Sequence, residues 1–265
     1  MKNFTLYTAA IVLSLIVIVF SYFIYQEKLR QTEKNATKIE ATDSGENGNE
    51  TDEQDDKINE DSEDKEDNID LNQFIANLPV NVQELILKRA EAGEKVNLLI
   101  TGSNSTVSYA NALNEAINNT YGDLFEVTIQ PFGSNSSLFI NLLDSEITWN
   151  EQYDIILFEA FTLNDVGNVE FETSISMIDR FVDRATQEVP DSIVLIQPDF
   201  PNQNKENYHE RIEQLKEVLQ EKNIPYVDHW QNWDIETNYL NTDGSLNDEG
   251  QSLWQNYLSE YFTAN

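Results

Sequence analysis

The chain has 265 residues and a formal net charge of -32, enough length for one sizeable domain with appendages. That acidity excludes nucleic acid and other polyanions as partners held by the protein's own field. There is no cysteine, and there are only two histidines, His209 and His229. Disulfides and thiolate metal sites are therefore excluded. Two histidines on separate elements make no zinc site, so no metal or cofactor is expected.

The first element is an apolar run. Phe4 to Tyr25 carries no charge and, at about 1.5 Å per residue, crosses a hydrocarbon core of roughly 30 Å as a helix. A cleaved signal peptide needs small residues at its end, and this run ends in Ser21-Tyr22-Phe23-Ile24-Tyr25. An uncleaved transmembrane anchor over residues 1–28 is the expectation. Lys28, Arg30, Lys34 and Lys38 follow the span, and the positive-inside rule alone would put them in the cytoplasm. A short tail before a single span is, however, the layout of an exported, tethered domain. The protein is expected to be single-pass in the cell membrane with its bulk extracytoplasmic.

Residues 29–70 read as a disordered acidic stem. Glu40 to Asp70 holds fifteen acidic residues against two lysines, too polar to bury a core. A flexible spacer of about 45 residues has an end-to-end distance on the order of 35–40 Å. From Leu71 to Asn265 the pattern changes to a folded domain. An amphipathic helix over Val82–Ala92 is closed by Gly93. Strands are then predicted at Val96–Thr101, Phe125–Gln130, Tyr153–Glu159, Ser192–Gln197 and Pro225–Asp228. Continuous apolar runs such as "VNLLI" and "DIILF" suit parallel strands buried on both faces. Between them lie helical stripes: Ala110, Leu113, Ala116, Ile117; then Ile175, Ile178, Phe181, Val182, Ala185; then Ile212, Leu215, Val218, Leu219; and finally Leu253, Tyr257, Leu258, Tyr261. Repeated β-α alternation predicts an α/β fold, a three-layer α/β/α sandwich on a five-stranded parallel sheet of flavodoxin-like type.

In such a sheet the working residues gather beyond the carboxyl ends of the strands. Those ends read Gly102-Ser103-Asn104-Ser105-Thr106, then Pro131-Phe132-Gly133-Ser134-Asn135, then Glu159 with Phe161-Thr162-Leu163-Asn164-Asp165, then Gln197-Pro198-Asp199, then Asp228-His229-Trp230. All are rich in groups that donate, accept or carry charge.

This set, from about Val96 to Phe262, resembles the SGNH or GDSL hydrolases, three-layer α/β/α esterases, lipases and carbohydrate deacetylases. "ITGSNST" stands where that family has its Gly-Asp-Ser nucleophile turn, with Gly102 matching the glycine, Ser103 at the aspartate position and Asn104 at the serine position. Gly133 in "QPFGSNSS" matches the glycine after the second strand, and "TLNDVG" carries over Asn164 and Asp165. "NTDGSLNDEGQSLW" resembles the C-terminal block; aligned on Asn247 and Gly250, it puts Ser245 at the histidine and Thr242 at the aspartate, with Asp243 adjacent.

The resemblance implies an esterase or deacetylase acting on an acylated cell-envelope glycan or a small ester. The oxyanion would be held by the Gly133 N–H and the Asn164 side chain. Two strict residues of the pattern are displaced, and three accounts stand side by side. In a shifted site, Ser103 or Ser105 is the nucleophile and His229 the base, with Asp228, Asp199, Asp243 or Glu159 as orienter and Asn104 and Asp165 in support. A degenerate member keeps the pocket and binds or scaffolds without turnover. An unrelated flavodoxin-like domain would use the Gly102 turn to meet an anion at a helix N-terminus. Ser103, Asn104 and Ser105 also suit plain helix capping, and His229 beside Trp230 and Trp233 suits packing. If anchor and stem are only a tether, residues 71–265 alone should be soluble and unfold cooperatively. Aggregation of that piece, while the full chain stays folded in detergent, would refute the tether.

Overall fold

The computed structural model describes residues 71–149, 152–234 and 236–265. The predicted anchor and stem, residues 1–70, lie outside them. Among the described residues no helix is long and apolar enough to cross a membrane.

The order of elements follows the alternation in the sequence. Helices α1 (Leu71–Phe74) and α2 (Val80–Glu91) lead to β1 (Val96–Ser103), α3 (Val107–Tyr121), β2 (Phe125–Phe132) and α4 (Ser136–Glu146). Next come β3 (Ile155–Glu159), the single turn α5 (Thr162–Asp165), α6 (Phe171–Glu188), β4 (Ile193–Gln197), α7 (Tyr208–Glu221) and α8 (Asp248–Thr263). The strands form one parallel sheet in the order β2-β1-β3-β4. The sheet therefore has four strands where five are predicted. Pro225–Asp228 does run parallel to β4, but it pairs through one bridge, Ile196 with Tyr226. Only the Ile196 N–H to Pro225 O and Val227 N–H to Ile196 O bonds form, at 2.9 and 2.8 Å. Pro225 has no N–H to add to the ladder, and the chain turns at His229 into a 3₁₀ segment, His229–Asn232.

Alternation along each strand fills the two cores. Leu98, Ile100, Ile155, Leu157 and Leu195 face α2, α3 and α8. Leu99, Ile156, Phe158, Val194 and Ile196 face α4, α6 and α7. Every residue of β3 is buried, which is why its sequence shows no polar alternation. On the second face Phe158 stacks on Phe181 at 3.9 Å, within a group that includes Phe139 and Phe161. Burying each such ring contributes about 1.5–3 kcal/mol.

The last helix is turned by one position from the predicted stripe. Its buried line is Gly250, Trp254, Leu258 and Phe262, and Leu253, Tyr257 and Tyr261 flank it half-buried. Asn247 caps this helix by accepting from the Gly250 N–H at 2.9 Å. Gly250 itself has no room for a side chain: a Cβ there would meet Leu246 Cδ2 at 2.9 Å and Tyr239 Cβ at 3.0 Å. The Asn-x-x-Gly of the C-terminal block is therefore a cap and a packing contact.

The tightest point in the sheet is Gly102, at φ 146°, where a Cβ would lie 2.4 Å from the Glu159 carbonyl oxygen. Gly102→Ala should cost roughly 3 kcal/mol in urea unfolding. Gly93→Ala, at φ 66° with open space around it, should cost only about 1 kcal/mol.

Candidate functional site

The chain reverses direction across the sheet between β1, which continues to β2 on one side, and β3 on the other. Such a switch point leaves a crevice beyond the carboxyl ends of the strands, and the Gly102–Thr106 turn occupies it. The close approach at Gly102 brings the Ser103 N–H to Glu159 Oε2 at 2.7 Å. Ser103 is then buried, and its hydroxyl oxygen accepts from the Ser105 N–H at 3.1 Å. That bond opens a 3₁₀ turn, Asn104–Thr106, leading into α3. The capping expected of this turn is real, and Ser103 performs it.

Both serine hydroxyls also donate to one carboxylate. Ser105 Oγ lies 2.9 Å from Asp199 Oδ2 and Ser103 Oγ lies 3.4 Å from the same atom. Asp199, just past β4, is fully buried. Its other oxygen accepts from the Phe200 N–H at 2.8 Å. Its backbone is fixed on both sides: its N–H donates to Thr162 Oγ1 at 2.9 Å, and its carbonyl accepts from Trp230 Nε1 at 2.7 Å. Glu159 is fully buried beside it, and Glu159 Oε1 has no hydrogen-bond partner among the described residues.

Burial pushes the Asp199 carboxyl up to about 7, against the pull of Phe200, Ser105 and Ser103. Burial, and then the charge of Asp199, pushes Glu159 well above the ordinary carboxylate range. Two acids in one dry site cannot both ionise at little cost. Burial and mutual repulsion therefore hold both carboxyls toward the protonated form. The linkage has a definite sign. The folded state binds more protons than the unfolded one between about pH 4 and 7, so this pair removes stability as pH rises through that window.

The segments that carry the predicted oxyanion residues, Gly133 and Asn164, meet each other, with Asn104 set against Gly133. Gly133 is exposed after β2, and a Cβ on it would sit 3.0 Å from Asn104 Nδ2. Asn164 Nδ2 donates to the Ser134 carbonyl at 2.8 Å, so α5 and the loop after β2 meet. Asn104, in the family's serine slot, is the exposed member of the turn. Asp165 is buried and serves α4: its carboxylate accepts from the Ser136 N–H at 3.0 Å and the Ser136 hydroxyl at 2.7 Å. Burial raises its pKa, and those bonds oppose the rise.

His229 is not where a base would be. It is fully buried, stacked on Trp254 at 4.7 Å. Its Nε2 meets the Pro198 carbonyl at 3.0 Å, and Trp233 Nε1 donates to its Nδ1 at 3.2 Å. A carbonyl can only accept and an indole N–H only donate, so the ring is the neutral Nε2–H tautomer with both nitrogens engaged. The predicted serine–histidine pair is thus replaced by a serine–aspartate pair, because the fifth strand end turns into the interior between Trp233 and Trp254. Asp228, half-exposed, pairs with Lys216. Asp243, exposed, accepts from the Ser245 N–H at 3.0 Å and hydroxyl at 2.6 Å, closing a surface turn. Neither supports His229. Ser245, in the family's histidine slot, is exposed in that same turn. Among the described residues no cluster of three or more histidine or carboxylate side chains could hold a metal ion.

Asp199 stood among the possible orienters in the sequence, but its direct contact with both serines is legible only in space. A buried network sits beneath it: Gln197 Nε2 donates to the Tyr109 hydroxyl at 2.8 Å, and Trp254 Nε1 donates to Gln197 Oε1 at 3.0 Å.

No family model matches the sequence, and no curated protein matches it either. Solved structures do. The chain is similar to Axe2, an acetylxylan esterase from Geobacillus stearothermophilus, at 13% identity and TM-score 0.54, over 63% of this chain and 94% of that one. It is similar to the acetyl xylan esterase AlAXEase at 11% identity and TM-score 0.51, over 62% and 98%. A lipase/acylhydrolase from Enterococcus faecalis matches at 16% identity and TM-score 0.50, over 62% and 94%. The fold is that of the SGNH/GDSL hydrolases.

Two measurements check the electrostatics. Burial holds His229 down to about 3, so its ring signals in NMR should stay those of the neutral Nε2–H form from pH 7.5 to 5. A midpoint near 6 would contradict the buried, bonded ring. Asp199→Asn should be more stable than the unsubstituted protein at pH 8, by on the order of 1–3 kcal/mol, with the gain gone at pH 4.

Proposed function

We propose that this SGNH-fold chain is an ester hydrolase, tethered to the membrane with its domain extracytoplasmic, that removes an acyl group from a cell-envelope glycan or a small ester. The observation that carries the reading is the 2.9 Å bond from Ser105 Oγ to Asp199, a buried carboxyl pushed up to about 7. A general base is most effective when its pKa lies near the working pH. Ser105, partly exposed, is the serine open to a substrate. Its oxygen attacks the acyl carbonyl, and its proton passes to Asp199 Oδ2. The tetrahedral oxyanion is met by the Gly133 N–H and by the amides of Asn104 and Asn164, each such donor worth roughly 3–4 kcal/mol. On collapse, Asp199 returns the proton to the leaving alcohol. Water then repeats the sequence on the acyl-serine. Ser103, buried and occupied by the Ser105 N–H, holds the turn.

The second reading, a degenerate site that binds without turnover, is favoured by two observations. The exposed polar group set against Gly133 is Asn104, while Ser245 fills the histidine slot.

Hydrolysis of 4-nitrophenyl acetate by the full chain separates the two. Turnover should rise with pH through about 7, as Asp199 loses its proton. Ser105→Ala and Asp199→Asn should each lower kcat about 10³-fold or more, and Ser103→Ala far less. If the unsubstituted chain is inert and the double change Asn104→Ser with Ser245→His creates activity, the degenerate reading holds instead.

A further inference from the structure

We infer that the cavity beyond the carboxyl end of β4 binds an uncharged oligosaccharide. The cavity has a volume of about 410 Å³, in the range of small-molecule sites. It is formed by the loop that follows Asp199 and by the first turn of α7. Its inner wall is Tyr208 against Trp230, edge to face with centroids 5.3 Å apart. Through the Trp230 N–H bond to the Asp199 carbonyl, this wall is one hydrogen bond from the Ser105–Asp199 pair.

The lining has the two surfaces that a pyranose ring presents to a protein. His209, exposed, stacks over Trp230 at 5.5 Å and 28°, a flat shelf supported from below. The C–H face of a sugar packs on such a shelf as apolar surface. The amides of Asn202 and Gln203 stand on the same cavity. Asn202 Oδ1 accepts from the Asn204 N–H at 3.0 Å and Gln203 Nε2 donates to the Thr237 carbonyl at 3.2 Å. That leaves Asn202 Nδ2 as a donor and Gln203 Oε1 as an acceptor, a combination that matches vicinal hydroxyls. Charge decides the class of sugar. Among the described residues of the lining, the Lys and the carboxylate present are Lys205 and Glu210, of opposite sign. A chain of net charge -32 opposes a polyanion from further away. An uncharged glycan meets neither obstacle.

The role of this sugar as carrier of the acyl group rests on the hydrolase reading above; its binding does not. The test therefore measures binding apart from turnover. Full chain carrying Ser105→Ala is titrated by calorimetry with chitotetraose and xylotetraose as uncharged probes and tetragalacturonate as the anionic one. At least one uncharged tetramer should bind saturably, and tetragalacturonate should not. His209→Ala, an exposed change that leaves the core intact, should weaken binding at least tenfold, and Gln203→Ala should weaken it as well. Absence of saturable binding by both uncharged tetramers overturns the inference. So does equal binding of the anionic one, or unchanged affinity in both variants. Oligosaccharide binding by a chain that hydrolyses no ester keeps the inference and removes the hydrolase reading. Ester hydrolysis without oligosaccharide binding does the reverse.

Discussion

β1 and β3 approach so closely at Gly102 that no side chain fits between them, and the rest of the site follows from that contact. The chain leaves β1 with the Ser103 N–H already bonded to Glu159. The turn that follows is therefore pinned at its first residue before any helix begins. Ser103 caps the turn, Ser105 is carried over Asp199, and α3 starts from a fixed point. A larger residue at 102 would separate the strands and release every one of these bonds together. This is a packing constraint whose consequence is chemical.

The same contact concentrates charge where it is expensive. Glu159 and Asp199 lie fully buried on neighbouring strand ends. Among the described residues their hydrogen bonds come from backbone N–H groups and serine hydroxyls, not from a basic side chain. Two acids in low dielectric push each other toward the neutral form, so folding here works against part of its own stability. Strain or charge held at one place and offset elsewhere is a common mark of a working site. The offset lies in the surrounding apolar layers: a phenylalanine group on one face of the sheet and Trp254 with its neighbours on the other. Beneath the pair, Gln197 bonds both Tyr109 and Trp254, while Glu159 keeps one buried oxygen without a partner among the described residues.

His229 and Asp199 are placed otherwise than sequence order suggests. A histidine at a strand end in a chain with only two histidines draws attention as a base. In space the short fifth segment turns inward, and the ring becomes a neutral spacer between two indoles. Asp199 follows a proline at the end of an apolar strand and carries no distinguishing motif, yet it receives both serine hydroxyls. Similarly, Asn247 and Gly250 stand out in the C-terminal block because they cap and pack α8, while Ser245 only closes an exposed turn with Asp243.

The sequence by itself determined the layered fold. Apolar runs long enough to be buried on both faces leave a parallel sheet between helices as the arrangement that satisfies them, and Gly102, Gly133 and Asn164 could be assigned to strand ends from position alone. It also determined what the chain cannot use, since no cysteine is present and histidines are nearly absent. Only the tertiary structure decided which acid meets which serine, that Asn104 rather than a serine stands against Gly133, that the fifth strand shrinks to one bridge, and that α8 buries Trp254 and Phe262. Those outcomes depend on distances of a few tenths of an ångström between segments far apart in the chain. Hydrophobic periodicity fixes which face of an element is buried, but not what that face meets.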